Sequence, residues 1–119
     1  MTIRRFPAFL IALAAATSAA AGPFDRVYRP DAPEAESWDC QSVGSDGGAL
    51  AVREDVFYGV QSACLLTNPV AVNGTSGVLY EAQCNAEVMS YSKRMMLMLV
   101  PKGLAAIEDD NGNPLRRCP

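Results

Sequence analysis

Val78-Leu79-Tyr80-Glu81-Ala82-Gln83-Cys84 is the stretch on which the fold turns. Val78, Tyr80, Ala82 and Cys84 fall on one side of an extended chain; Leu79, Glu81 and Gln83 fall on the other. A period of two with one dry and one wet side marks a β-strand. Working outward, the same rhythm of short runs and turn residues recurs. Downstream, residues 85–88 turn, 91–100 form the most apolar strand, Pro101-Lys102-Gly103 turns and 104–108 is a strand. Asn111-Gly112, inside 109–114, is a hairpin cue, and 115–118 closes the chain. Upstream, 73–77 is a turn, Pro69 interrupts, and 70–72 is a short edge strand. Residues 56–64 form a strand with Gly59 as a candidate bulge. Glu54-Asp55 punctuates, 49–53 is a strand, 44–48 a turn and 38–43 the first strand. Nothing after Trp38 sustains a 3.6-residue period with caps. The expected fold is all-β, a small antiparallel meander forming a sandwich or barrel.

Before Trp38 the chain changes character. Residues 22–37 contain Pro23, Pro30 and Pro33, which remove backbone donors, and Asp31, Glu34 and Glu36. They read as a Pro-rich N-terminal arm, pinned by Phe24, Val27 and Tyr28, ahead of a domain over 38–119. Residues 1–21 read as a cleaved signal peptide. Arg4 and Arg5 supply the charged start, 6–16 the apolar run, and Ala19-Ala20-Ala21 the small-residue cleavage site before Gly22. The apolar run is shorter than the about 20 residues that span a bilayer, so no membrane insertion is expected. The expected location is periplasmic or secreted, after cleavage near Ala21.

Cleavage there leaves 98 of the 119 residues, with 8 Lys and Arg against 13 Asp and Glu, a net charge of −5. Four cysteines, Cys40, Cys64, Cys84 and Cys118, all lie in that part. An even count in an exported chain reads as two disulfides. Redox or zinc chemistry would want close pairs, and the closest two, Cys64 and Cys84, are 20 residues apart. In an up-and-down order, Cys64 and Cys84 end two strands that run the same way. Cys40 and Cys118 lie nearer the other end, on first and last strands that become neighbours if a barrel closes. Strand parity therefore favours Cys64–Cys84 with Cys40–Cys118. The local pairing, Cys40–Cys64 with Cys84–Cys118, is the alternative.

The sequence has no histidine, which removes the commonest general base and metal ligand. A hydrolytic triad in its common form is excluded. Glu54-Asp55 and Asp109-Asp110 fall in expected turns, where acidic residues are ordinary, and sequence neighbours diverge rather than flank one bond. Asp109-x-Asn111-Gly112 is a fragment of a calcium loop, but Ile107 occupies the first ligand position. Met89, Met95, Met96 and Met98 are soft ligands of the kind Cu(I) takes, yet strand parity turns Met95 away from Met96 and Met98. The expectation is no enzyme, no cofactor and no metal. A net negative charge with unclustered cations argues against nucleic acid and against anionic membrane surfaces. A protein partner remains. Met95-Met96-Leu97-Met98-Leu99-Val100 is apolar on both faces, whereas a single-layer barrel has one dry face. Its outer face is expected to be covered by the arm, by another sheet, by a partner or by a second copy of the chain.

Ser76-Gly77-Val78-Leu79-Tyr80 resembles the Ser-Gly-x-x-Tyr part of a motif in periplasmic inhibitors of C-type lysozyme. The resemblance covers five of 119 residues. The aromatic and Lys-Gly that follow in that family are only approximated by Tyr91-Ser92-Lys93-Arg94, and the four-cysteine framework departs from it. It implies a small disulfide-containing β-barrel that inserts this string into an enzyme cleft. The candidate binding residues are thus Ser76, Gly77, Tyr80, Lys93 and Arg94. The expected function is a small exported non-catalytic binding module, an inhibitor of an extracytoplasmic enzyme such as a lysozyme in its most concrete form. An envelope structural or assembly protein, using Met95 to Val100 as an interface, is the alternative. A small enzyme or a Cu(I)-binding protein comes third.

Overall fold

Eight strands follow one another along the chain: β1 (Arg26–Pro30), β2 (Leu50–Arg53), β3 (Val56–Gly59), β4 (Ser62–Ala71), β5 (Val78–Ala86), β6 (Met89–Val100), β7 (Gly103–Glu108) and β8 (Asn111–Arg117). Each pairs antiparallel with the next, and β8 returns to pair with β1, which closes an up-and-down barrel. The computed structural model describes residues 22–109 and 111–119; the expected leader at 1–21 lies outside them.

The alternation at 78–84 sets the inside of the wall. Tyr80, Ala82 and Cys84 are buried and Val78 packs against the core, while Gln83 is exposed. Register carries the pattern round the barrel: Val78 lies opposite Leu97 and Leu97 opposite Ala106. Tyr28, Met95, Leu97 and Leu104 are the largest fully buried side chains. Eight strands enclose a space that side chains of this size can fill.

The segment 22–37 is not an arm outside the domain. It supplies β1, which pairs with β2 through Arg26, Val27 and Tyr28 and with β8 through Tyr28, Arg29 and Pro30. Its prolines sit where a ladder can spare a donor. Pro23 precedes the strand, Pro30 ends it, and Pro33 opens a short 3-10 helix, Pro33–Ala35. Phe24 and Tyr28 are in the core, and the Tyr28 hydroxyl donates to the Phe24 carbonyl at 2.7 Å.

Residues 38–43 form a loop rather than the first strand. The Asp39 carboxylate accepts from the Gln41 and Ser42 amides at 2.7 and 2.9 Å and from the Ser42 hydroxyl at 2.7 Å. A side chain that satisfies local amides competes with a ladder. The expected strand 56–64 is a hairpin, with Gly59 opposite Ser62 and Gln61 at φ 53 in its turn. Pro69 does not end β4; the register shifts between Thr67 and Val70, and Asn68 takes φ 51. That irregularity accommodates a residue with no amide hydrogen. Glu108 pairs with Asn111, so Asn111-Gly112 lies in β8 rather than in the turn.

The disulfides are Cys40–Cys118 and Cys64–Cys84, as strand parity favours, and the chain has no free cysteine among the described residues. The geometry behind the second differs from the parity argument. Cys64 and Cys84 lie directly opposite each other on adjacent strands, with Cα atoms 4.0 Å apart, inside the barrel. Two disulfides are the mark of an oxidising, extracytoplasmic compartment.

Candidate functional site

The β4–β5 turn, residues 72–77, carries the first candidate residues and is held by bonds at Val72, Thr75, Ser76 and Gly77. The Val72 amide donates to the Gly77 carbonyl at 2.9 Å, and the Thr75 amide donates to the Val72 carbonyl at 3.2 Å. The Thr75 hydroxyl donates to the same carbonyl at 2.9 Å and accepts from the Gly77 amide at 2.9 Å. Ser76 Oγ accepts from the Leu99 amide at 2.9 Å, which ties the turn to the end of β6. Gly74 stands at φ 79, a conformation that glycine takes without strain. Asn73, Thr75 and Ser76 are exposed on this frame.

The other candidates do not join them. Tyr80 is 9% exposed and its ring belongs to the core, so it is not a surface anchor. Burial pushes its phenol above the ordinary value, and Asp55 and Asp25 add to the effect. Lys93 faces inward, opposite Ala82, and pairs with Glu108. Arg94 faces outward and meets Glu81 at 3.4 Å with both side chains well exposed. Strand alternation alone separates Lys93 from Arg94 and Tyr80 from solvent. Gly77 is buried behind the turn, where a Cβ would lie 3.1 Å from Thr75 Oγ1.

The apolar strand behaves as its alternation requires. Met95 and Leu97 fill the core, while Met96 and Met98 are half-buried on the outside. Register sets Val70, Leu79, Met96 and Ile107 side by side across β4 to β7. The segment expected as cover for this face is part of the barrel wall instead. Glu81 and Arg94 border the row.

Among the described residues, a hollow lies on this row between Leu79, Arg94, Met96, Ile107 and Asp109, and two others lie elsewhere. At one mouth of the barrel, Leu50, Phe57 and Leu115 with Asp31 and Glu108 line a cavity of about 650 Å3. Along the β1–β8 seam, Arg26, Arg29, Lys102, Arg116 and Arg117 line an open cleft of about 480 Å3. The cations are therefore clustered, contrary to the sequence reading. The signal was present: closing first strand on last puts Arg26 and Arg29 beside Arg116 and Arg117. Arg26 and Arg117 also act on Tyr28, whose phenol is raised by burial against their opposing pull. Among the described residues, no three acidic or cysteine side chains form a group that could hold a metal ion, and no helix is long and apolar enough to cross a membrane.

No family model, curated protein or solved structure matches this chain.

Proposed function

We propose that the chain is an exported, non-catalytic binding module whose concrete form is an inhibitor of an extracytoplasmic enzyme such as a lysozyme. The observation that carries this reading is the β4–β5 turn. Its exposed polar side chains sit on a backbone held by its own hydrogen bonds and by Leu99. A loop fixed before binding loses little freedom on entering a cleft. Ser76 is tied to Leu99, close in sequence to the exposed Lys102, so a hydroxyl and a cation lie near one end of the barrel. That pairing suits a cleft that holds two carboxylates, as glycosidases have. Tyr80 supports the turn from the core and makes no contact with the partner. The leader at 1–21, with cleavage near Ala21, and the two disulfides support a periplasmic or secreted location.

The test is lysozyme activity with and without the purified protein, across lysozyme classes. Inhibition that weakens about tenfold with Ser76→Ala while the barrel stays folded supports the site. Lack of inhibition of every class removes the lysozyme version.

A second reading, an envelope structural or assembly protein, is favoured by the outward row of Val70, Leu79, Met96 and Ile107. Val70 is 58% exposed and Leu79, Met96 and Ile107 are half-buried beside it; contiguous outward apolar patches mark contact surfaces. Its partner is another protein or a second copy of the chain. Sedimentation of the protein and of Met96→Lys tests the second copy. The Cu(I) reading has no such support, because Met95 faces away from Met96 and Met98.

A further inference from the structure

Five cations of an acidic protein share one cleft. From residue 22 onward the chain carries 8 Lys and Arg against 13 Asp and Glu, yet Arg26, Arg29, Lys102, Arg116 and Arg117 line a single hollow at the β1–β8 seam. The ladder sets Arg29 directly opposite Arg116. Like charges in that position oppose pairing, and solubility gives no reason to collect them. Their charge is only partly answered. Arg116 meets Asp31 at 3.7 Å and Glu36 at 3.5 Å. Among the described residues no other carboxylate pairs with the five.

Two of the guanidiniums are held by neutral groups instead. Arg29 donates to the Glu36 carbonyl at 3.0 Å and Arg117 to the Pro101 carbonyl at 2.8 Å. A carbonyl fixes the plane of a guanidinium without cancelling its charge. That leaves oriented donors with unmatched charge, the condition of a site ready for an anion. The frame is rigid: two paired strands and a tight turn, with Cys118 in the cleft wall bonded to Cys40.

We propose that this cleft binds the phosphate groups of a ligand that carries more than one of them. The guanidinium fork matches phosphate oxygens, and lysine adds a point charge. Five cations against two carboxylates exceed what a single phosphate, with its charge of about −1.5 to −2, would neutralise. The cleft also falls within the about 300–1,000 Å3 of small-molecule sites. A soluble polyphosphorylated molecule and a lipid headgroup present the same chemistry here. The inference shares only Lys102 with the Ser76 reading and rests on the four arginines, which that reading does not use, so either can fail without the other.

The experiment is calorimetric titration of the purified protein with inorganic pyrophosphate at low salt. Co-sedimentation with cardiolipin vesicles, whose headgroup carries two phosphates, against phosphatidylcholine vesicles, runs beside it. Arg26→Gln and Lys102→Gln, both at exposed positions, are compared with Arg94→Gln, which makes the same charge change outside the cleft. Circular dichroism verifies the fold of each. Each cleft variant is expected to weaken binding about tenfold, and Arg94→Gln less than about twofold. Pyrophosphate binding assigns the site to soluble phosphates. Binding to cardiolipin alone assigns it to a headgroup. Absence of binding to both, or equal weakening by all three variants, overturns the proposal.

Discussion

The two disulfides close one barrel in opposite ways. Cys64–Cys84 joins residues that the β4–β5 ladder already sets face to face, inside the wall. Cys40–Cys118 joins a loop to the residue after β8, beside the seam where the ladder pairs Tyr28, Arg29 and Pro30 and single bonds from the Cys118 amide to the Val27 carbonyl and from the Asp31 amide to the Pro114 carbonyl extend it. The first reinforces long strands that hold each other. The second secures a short junction between segments 78 residues apart in sequence. The same bond therefore does unequal work: it matters most where the ladder is short and the unfolded loop it restricts is long.

The largest effect is expected at the seam. By the loop-entropy relation, Cys40→Ala with Cys118→Ala lowers stability by about 4.5 kcal/mol and Cys64→Val with Cys84→Val by about 3.3 kcal/mol. Valine keeps the second site filled, so that cavity formation does not blur the comparison. Denaturant unfolding of both double variants measures this, and the reverse order would break the contrast between seam and wall.

A smaller difference separates a buried hydroxyl at the seam from a half-buried one in the wall. Tyr28→Phe leaves the Phe24 carbonyl without its donor beside the seam, a loss of about 1–3 kcal/mol. Thr67→Val removes the bond from Thr67 Oγ1 to the Glu81 carbonyl, 2.7 Å long and half-buried in the β4–β5 wall. Water can replace that donor, and the expected loss is about 0.5–1 kcal/mol. Equal losses in thermal melts would place the weak point elsewhere.

Next is alkaline titration. Tyr28 and Tyr80 both have phenols raised above the ordinary value near 10.0, mainly by burial. The unfolded chain therefore releases these protons at lower pH than the folded one. Their contribution is complete below the ordinary tyrosine range and is lost as pH rises through the raised folded values. Stability should fall in that window, and Tyr28→Phe should flatten the fall. An unchanged slope in the variant would exclude Tyr28 as a source.

The smallest effect is confined to the loop. The Ser42 and Gln41 amides hold the Asp39 carboxyl below its ordinary value. Its fold-favouring interaction is present above the ordinary value and disappears as pH falls through the lowered one. Amide shifts of Gln41 and Ser42 should follow that titration while global unfolding does not.

Much of this fold was legible because alternation is a strong local signal. Residues 78–84 announced a half-buried strand, and 95–98 announced which methionines face inward. What escaped depends on partners distant in sequence. Pro23, Pro30 and Pro33 made residues 22–37 look unfit for a sheet, although β1 leaves each of them where no donor is needed. Trp38 to Val43 looked like a strand because nothing in the sequence revealed that Asp39 would satisfy the amides of Gln41 and Ser42. The candidate site was less legible. A string match cannot tell a tyrosine in the core from one on the surface, though parity could have warned for Tyr80. The basic cleft arises from residues near both ends of the chain and appears only when first strand meets last.

That meeting also orders events in time. A chain is made from its N-terminus, so β1 exists before any residue of β8 and its outer edge has no ladder partner until β8 has been made. Bringing such distant segments together is entropically slow, and an open edge invites pairing with another chain. Pro30 shortens the exposed ladder on β1, and Pro114 does the same on β8. The prolines that disguise these strands in the sequence thus also guard them while the barrel is still open.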